Sequence, residues 1–147
     1  MNIITFQIIQ FIIITFISFV VNPMNILVYN SGDLYFSLTN LYDSLLFASN
    51  MMWAREVVNY VTLGYFNINI FAIGILLSLF VIFMLLKKHF MVDDRQWIRR
   101  MISQHSSALT MSHHILNKTE DRRIKNLANG IIEAQEREIT FMKKILQ

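Results

Sequence analysis

Residues 97–116 read WIRRMISQHSSALTMSHHIL, and residues 124–145 read IKNLANGIIEAQEREITFMKKI. In the first stretch Trp97, Met101, Gln104 or His105, Ala108, Met111 or Ser112 and Ile115 recur in the 3-4 rhythm of one helix face. In the second, Ile124, Leu127, Ile131, Gln135, Glu138, Met142 and Ile145 do the same. Asp93 or Asp94 caps the first helix, and Gln96, three residues after Asp93, completes a capping-box pattern. Thr119 caps the second. Glu120 and Asp121 complement its positive end, and Lys143 and Lys144 its negative end. Only a tight turn at Asn117-Lys118 separates the two, so helices over about 94–116 and 120–146 form an antiparallel hairpin within residues 90–147. Each helix is roughly 35 Å long.

Two helices bury too little to be stable alone, so the hairpin needs a further layer. The reading favoured is a second copy, giving a four-helix bundle by dimerisation and making this hairpin half of it. Gln104 or His105, Gln135 and Glu138 stand where leucine is expected. A buried polar group without a partner is costly, so this polar seam predicts a hydrogen-bonded layer or a ligand. Gly130 weakens its helix by about 1 kcal/mol relative to alanine, and predicts close approach by another helix.

The remainder of the chain is of a different kind. Hydrophobic residues make up 54% of the 147, the mean hydropathy is +0.44, and there is one proline, which is a membrane composition. Before Lys87 the only base is Arg55, against Asp33, Asp43 and Glu56; from Lys87 onward there are 12 Lys and Arg against 7 acids. A chain this short has no room for a catalytic domain beside its apolar segments. There are no cysteines, so disulfides and thiol chemistry are excluded.

Residues 1–89 read as a membrane region with helices at about 3–21, 34–54 and 66–87. The first is long enough to cross a core of about 30 Å and stops at Asn22-Pro23. It lacks the basic start and small-residue cleavage site of a signal peptide, so it is expected to be retained, with Gln7 and Gln10 facing a partner helix. The third is the strongest apolar run. Lys87 and Lys88 follow it, placed to reach lipid headgroups, and Gly74 and Ser78 form a small-xxx-small pair. In the middle segment Leu34, Leu38, Leu41, Leu45, Ala48 and Met52 share one stripe, away from Ser37, Asn40, Asp43 and Ser44, with Asp33 as N-cap. It either lies in the interface or crosses with its polar side inward, and crossing is favoured. The base distribution places the tail on the cytosolic side in both cases. Three crossings put the N-terminus outside; two put it inside and the middle region outside.

The motifs M101-ISQHSSALT-M111 and L127-ANGIIEAQEREITF-M142 together resemble the domain of unknown function 305 family, over about 93 to 146. The family pattern is M-I-x-H-H-x-x-A-x-x-M followed by L-A-x-x-I-I-x-x-Q-x-x-E-I-x-x-M. The resemblance implies a ferritin-like all-α bundle. Some members bind copper or silver, and membrane-anchored versions occur in large DNA viruses, where an AT-rich genome suits this chain's Ile, Asn and Phe richness. By position it implies Met101, His105, Met111 and Met142 as metal candidates, with Gln135 and Glu138 as a polar pair. The family's His-His pair reads Gln104-His105 here, so one potential ligand is absent.

Thioether and imidazole suit soft ions such as Cu(I), and Met101 and His105 at i, i+4 can share one. The plainer reading has methionine filling the core while His105, Gln135 and Glu138 set register. A di-iron site is excluded because no Glu-x-x-His occurs. Serines 103, 106, 107 and 112 have no acid-base partner in sequence, and no phosphate-cradling glycine loop is present. Arg95, Arg99 and Arg100 follow the membrane segment closely and, with Lys87 and Lys88, suit anionic headgroups or an acidic partner. Arg122, Arg123 and Lys125 read as a solvated face, and nucleic-acid binding lacks a motif. The sequence thus predicts a small multi-pass membrane protein, not an enzyme, with a structural or interaction role. Its partners are the bilayer and a homo-oligomer or helical protein, and its setting extends to a virion membrane. The rival reading is a membrane-anchored copper or silver binder.

Overall fold

A computed structural model describes residues 2–147, and every regular element among them is helical. The elements are α1 (Ile3–Val20), a short α2 (Pro23–Ile26), a 3-10 turn at Ser31–Asp33, α3 (Leu38–Leu63), α4 (Ile68–Phe80, wound on as a π-helix over Val81–Leu86), α5 (Asp94–Lys118) and α6 (Arg122–Leu146). The chain divides into two compact units. One holds the stretch up to Val21 with Leu38–Met91, the other Asn22–Ser37 with Val92–Gln147. Residues 22–37, read from sequence as part of the membrane region, therefore fold with the C-terminal hairpin.

In the first unit α3 packs against both α1 and α4. Two stretches, Ile3–Ile26 and Ile68–Leu86, are long and apolar enough to cross a membrane. α3 begins at Leu38, not at 34, and runs to Leu63; Asp33 does not cap it. Its polarity is turned inward. Asn40, Ser44, Ser49 and Glu56 are buried, while Phe47, Val57, Val58, Tyr60, Val61 and Leu63 are exposed. The buried polar groups are mostly satisfied inside the unit. The Ser44 and Ser49 hydroxyls donate back to the carbonyls of Asn40 and Leu45. The Glu56 carboxylate accepts from the Asn67 N–H at 3.0 Å, at the N-terminus of α4 where the helix dipole favours an anion. The Arg55 guanidinium donates to Gln10 of α1 and lies 4.5 Å from the centre of the Phe6 ring. Gln10 thus faces a neighbouring helix as expected. Gln7 is buried too, but its Oε1 has no hydrogen-bond partner among the described residues.

The small-xxx-small pair holds α3 to α4. A Cβ added at Gly74 would meet the Trp53 backbone nitrogen at 2.9 Å and the Met52 Cβ at 3.2 Å. The Ser78 hydroxyl, one turn on, reaches Asn50 Oδ1 at 2.9 Å. Backbone cannot yield as a flexible side chain does, so helix separation is what a methyl here would force.

In the second unit α5 and α6 form the expected antiparallel pair. Asp93 Oδ1 accepts from the Gln96 N–H at 2.8 Å and caps α5. α5 runs on to Lys118, and the cap of α6 is Asp121, two residues beyond the expected Thr119. Asp121 accepts from the Arg123 N–H at 2.8 Å and from its guanidinium at 2.7 Å. That side-chain bond first, and the backbone bond second, hold the Asp121 carboxyl below the ordinary carboxylate range. A carboxyl lowered on folding stabilises the folded state above its unfolded pKa, and that contribution fades as pH falls through the folded one.

The seam between α5 and α6 runs one residue out of phase with the stripe read from sequence. Ile98, Ile102 and Leu109 meet Ile132, Ile139 and Met142, with Met101, Leu116, Leu146 and Tyr35 packed at the margin. Trp97, Met111, Ile115, Ile124, Leu127 and Ile145, all expected in the seam, are exposed. The close approach expected at Gly130 is not seen among the described residues: an added Cβ there would meet nothing within 4 Å. The two glycines therefore predict opposite outcomes. Gly74→Ala should destabilise the chain by about 1–3 kcal/mol as an overpacked contact. Gly130→Ala should stabilise the hairpin by about 0.5–1 kcal/mol. Thermal unfolding of the two variants in one detergent, against the parent, measures both.

Candidate functional site

At 100° per residue α5 carries three faces set about a quarter-turn apart. One, Ile98, Ile102, Leu109 and Leu116, meets α6. The second carries Ser103, Ser106, Thr110 and His113, and segment 22–37 lies along it. This segment has only one turn of α-helix and one of 3-10, so most of its N–H and C=O groups need partners from elsewhere. The small hydroxyls of α5 supply them. Ser106 Oγ accepts from the Tyr29 N–H at 2.8 Å, and Ser103 Oγ accepts from the Tyr35 N–H at 3.1 Å and donates to the Asp33 carbonyl at 3.0 Å. Thr110 donates to the Leu27 carbonyl at 2.6 Å, and the Tyr29 ring stacks on His113 with centroids 4.6 Å apart.

The centre of this row is Asp33, whose side chain is only 1% exposed. Its Oδ2 accepts from the Ser106 hydroxyl at 2.7 Å, and its Oδ1 is ion-paired with Lys143 of α6. One carboxylate thus joins three pieces of chain: the turn at 31–33, α5 and α6. Sequence reasoning missed it. Asp33 looked like a helix cap, and its partners lie 73 and 110 positions away. The run of serines was the one visible signal, because four buried hydroxyls on one helix need something to bond. Ser106 and Asp33 are closed to solvent while Lys143 is partly exposed, so in this fold the Ser106–Asp33–Lys143 cluster fastens chain.

The metal candidates lie apart. Met142 is buried in the seam, Met101 packs at its margin, and Met111 is exposed on the third face of α5. Met101 and His105 are neighbours through the backbone. His105 Nδ1 lies 2.8 Å from the Met101 carbonyl oxygen and Nε2 lies 2.8 Å from a Glu138 carboxylate oxygen. Both neighbours are acceptors, and a ring nitrogen donating to either has no lone pair for a metal. The structure therefore brings His105 and Glu138 together as a pair across the seam, with Gln104 and Gln135 partly buried beside it. Among the described residues no three His, Asp or Glu side chains converge on one point.

The headgroup candidates also divide. Lys87 lies 4.7 Å from the centre of the Phe83 ring at the end of α4. Arg95 and Arg99 stand on the segment-facing side of α5, continuing the row of Ser103 and Ser106 by one and two turns. Arg100 lies elsewhere on the helix and is partly buried.

The third face of α5 is open. It carries Trp97, Met111 and Ile115, and α6 exposes Ile124, Leu127, Phe141 and Ile145. Both stripes lie about 100° from the α5–α6 seam. In an antiparallel pair they emerge on one side, opposite the side that segment 22–37 covers. The hairpin is covered on one flank and apolar on the other.

Residues 86–146 match a family described as "Domain of unknown function (DUF305)". An uncharacterized protein of Acanthamoeba polyphaga mimivirus is 32% identical over 140 residues, spanning 95% of this chain and 91% of that protein. No solved structure matches.

The Asp33 cluster makes a direct prediction. Asp33→Ala removes the acceptor of the Ser106 hydroxyl and the partner of the partly exposed Lys143, and should cost roughly 1–3 kcal/mol. Hydrogen exchange should show the Tyr29 and Tyr35 amides losing protection ahead of the α5–α6 seam. The double variant Asp33→Ala/Lys143→Met should be less unstable than the sum of its single changes.

Proposed function

The chain belongs to the DUF305 family, and from that membership we propose that it is a small multi-pass membrane protein whose C-terminal hairpin is an assembly module. The observation that carries the assembly reading is the open apolar flank. The hairpin already has a core and a covering segment, yet it leaves Trp97, Met111, Leu127, Phe141 and Ile145 exposed along one side, each at least half exposed. A contiguous apolar patch of this kind marks an interaction surface. A second hairpin laid on that flank completes a four-helix bundle, and tethering in one membrane raises the local concentration for pairing. The viral relative suits a structural component of a virion membrane, and its printed name assigns it no activity.

Multi-pass topology is supported by parity. Segment 22–37 and the tail fold in one unit, so they lie on one side of any membrane the chain crosses. They are separated in sequence by α3 and α4. If α4 crosses, as its length and apolarity suit, α3 must cross as well. The inward polarity of α3, with apolar side chains outside, is the pattern such a helix requires. Three crossings then put segment 22–37 on the base-rich cytosolic side with the tail, and the Gly64–Phe66 turn opposite.

Two measurements test this. A chain without cysteine accepts single reporters cleanly: cysteines at Asn30 and Asn126 should label from the same face of sealed vesicles, and one at Tyr65 from the other. Labelling of positions 30 and 126 from opposite faces would exclude three crossings. For assembly, Leu127→Glu with Phe141→Glu should convert a detergent-solubilised oligomer to monomer without loss of helicity. A parent chain that is monomeric at all concentrations would refute the module.

A further inference from the structure

The row of Arg95 and Arg99 ends at a cleft in the tail unit. Gly32 and Tyr35 of the covering segment form one wall, Arg95 and Arg99 of α5 a second, and Lys143 and Leu146 of α6 with the following Gln147 the third, around a volume of about 290 Å³. Three cations converge there. Among the described residues no acidic side chain is ion-paired with Arg95 or Arg99, and Asp33, paired with Lys143, is closed off from solvent. The Arg95 guanidinium makes one bond, to the Leu146 carbonyl at 3.3 Å, and Arg99 makes no hydrogen bond or ion pair among the described residues. Two guanidinium groups one helical turn apart, largely free of partners and lining a concave site, are poorly placed unless an anion joins them. Their planar forks match the oxygens of a phosphate.

We infer that this cleft binds a phosphate group, and that the phosphate is carried by an anionic phospholipid headgroup. The volume of about 290 Å³ is more space than a bare inorganic ion fills. Connectivity keeps the site near lipid. Arg95 follows Lys87, just past the end of α4, by eight residues, a reach of at most ~28 Å. The opposite wall hangs between α1 and α3, with Tyr35 three residues before Leu38. The source of the phosphate rests on the membrane reading above, but the cleft does not.

The test uses the full chain in a neutral detergent, with short-chain phosphatidic acid, short-chain phosphatidylcholine and inorganic phosphate as separate probes. Binding is read by thermal shift and by native mass spectrometry. Phosphatidic acid is expected to bind best, and Arg95→Gln/Arg99→Gln to weaken it about tenfold or more, as expected for lost charge-assisted bonds. Arg122→Gln/Arg123→Gln, on the far end of the hairpin, is expected to leave it unchanged. Arg95→Lys/Arg99→Lys keeps charge and fold while removing the forks, and should give an intermediate loss. Inorganic phosphate binding as well as the lipid, with the same dependence on Arg95 and Arg99, would support the site and overturn the lipid source. Equal weakening by both glutamine pairs, or no saturable binding of any probe, would overturn the inference.

Discussion

A single buried carboxylate joins three pieces of the C-terminal unit of this protein. Asp33 reaches α5 through the Ser106 hydroxyl and α6 through Lys143, and it does so from a stretch with almost no secondary structure of its own. Taking that charge out of water is costly unless it is paired and hydrogen-bonded, and here both conditions are met. The arrangement fixes where residues 22–37 go. They serve as the third layer of the hairpin, which two helices alone would lack.

Several other features follow from that placement. Because the covering segment occupies one flank of the hairpin, the apolar stripe on the other flank is left open. Under the proposed three-crossing topology, the two helices between the segment and the tail return the chain to the side it left, and the composition of α3 suits that task. It buries Asn40, Ser44, Ser49 and Glu56 against its neighbours and turns aliphatic and aromatic side chains outward, the reverse of a helix in water. The basic cleft depends on the same fastening, since Gly32 and Tyr35 provide a wall only while Asp33 keeps them in place.

Much of this was legible in the sequence wherever a signal is local. The apolar runs, the Asp93 cap, the Gly74–Ser78 spacing and the antiparallel hairpin each depend on residues a few positions apart, and each appears in the structure. The family motifs pointed to the same hairpin. The seam was displaced by one residue because α5 carries buried or apolar side chains on three faces, and a periodicity count finds the most hydrophobic one. That stripe, with Trp97, Met111 and Ile115, is the open face, while the shorter set of Ile98, Ile102 and Leu109 forms the core. The role of 22–37 was not legible. Its contacts are made by backbone groups, one aspartate and two tyrosine rings, its polar ones across separations of 68 to 110 residues, and such contacts leave no periodic trace.

The most direct measurement exploits the absence of cysteine. Leu27 and Thr110 are in contact through the Leu27 carbonyl and the Thr110 hydroxyl, on the row that joins the covering segment to α5. A chain with cysteines at both positions, oxidised in its membrane, is predicted to form an intramolecular cross-link at monomer mass that Asp33→Ala suppresses. Failure to cross-link under oxidation that links a control pair between α5 and α6 would contradict the account, since residues 22–37 would then lie elsewhere.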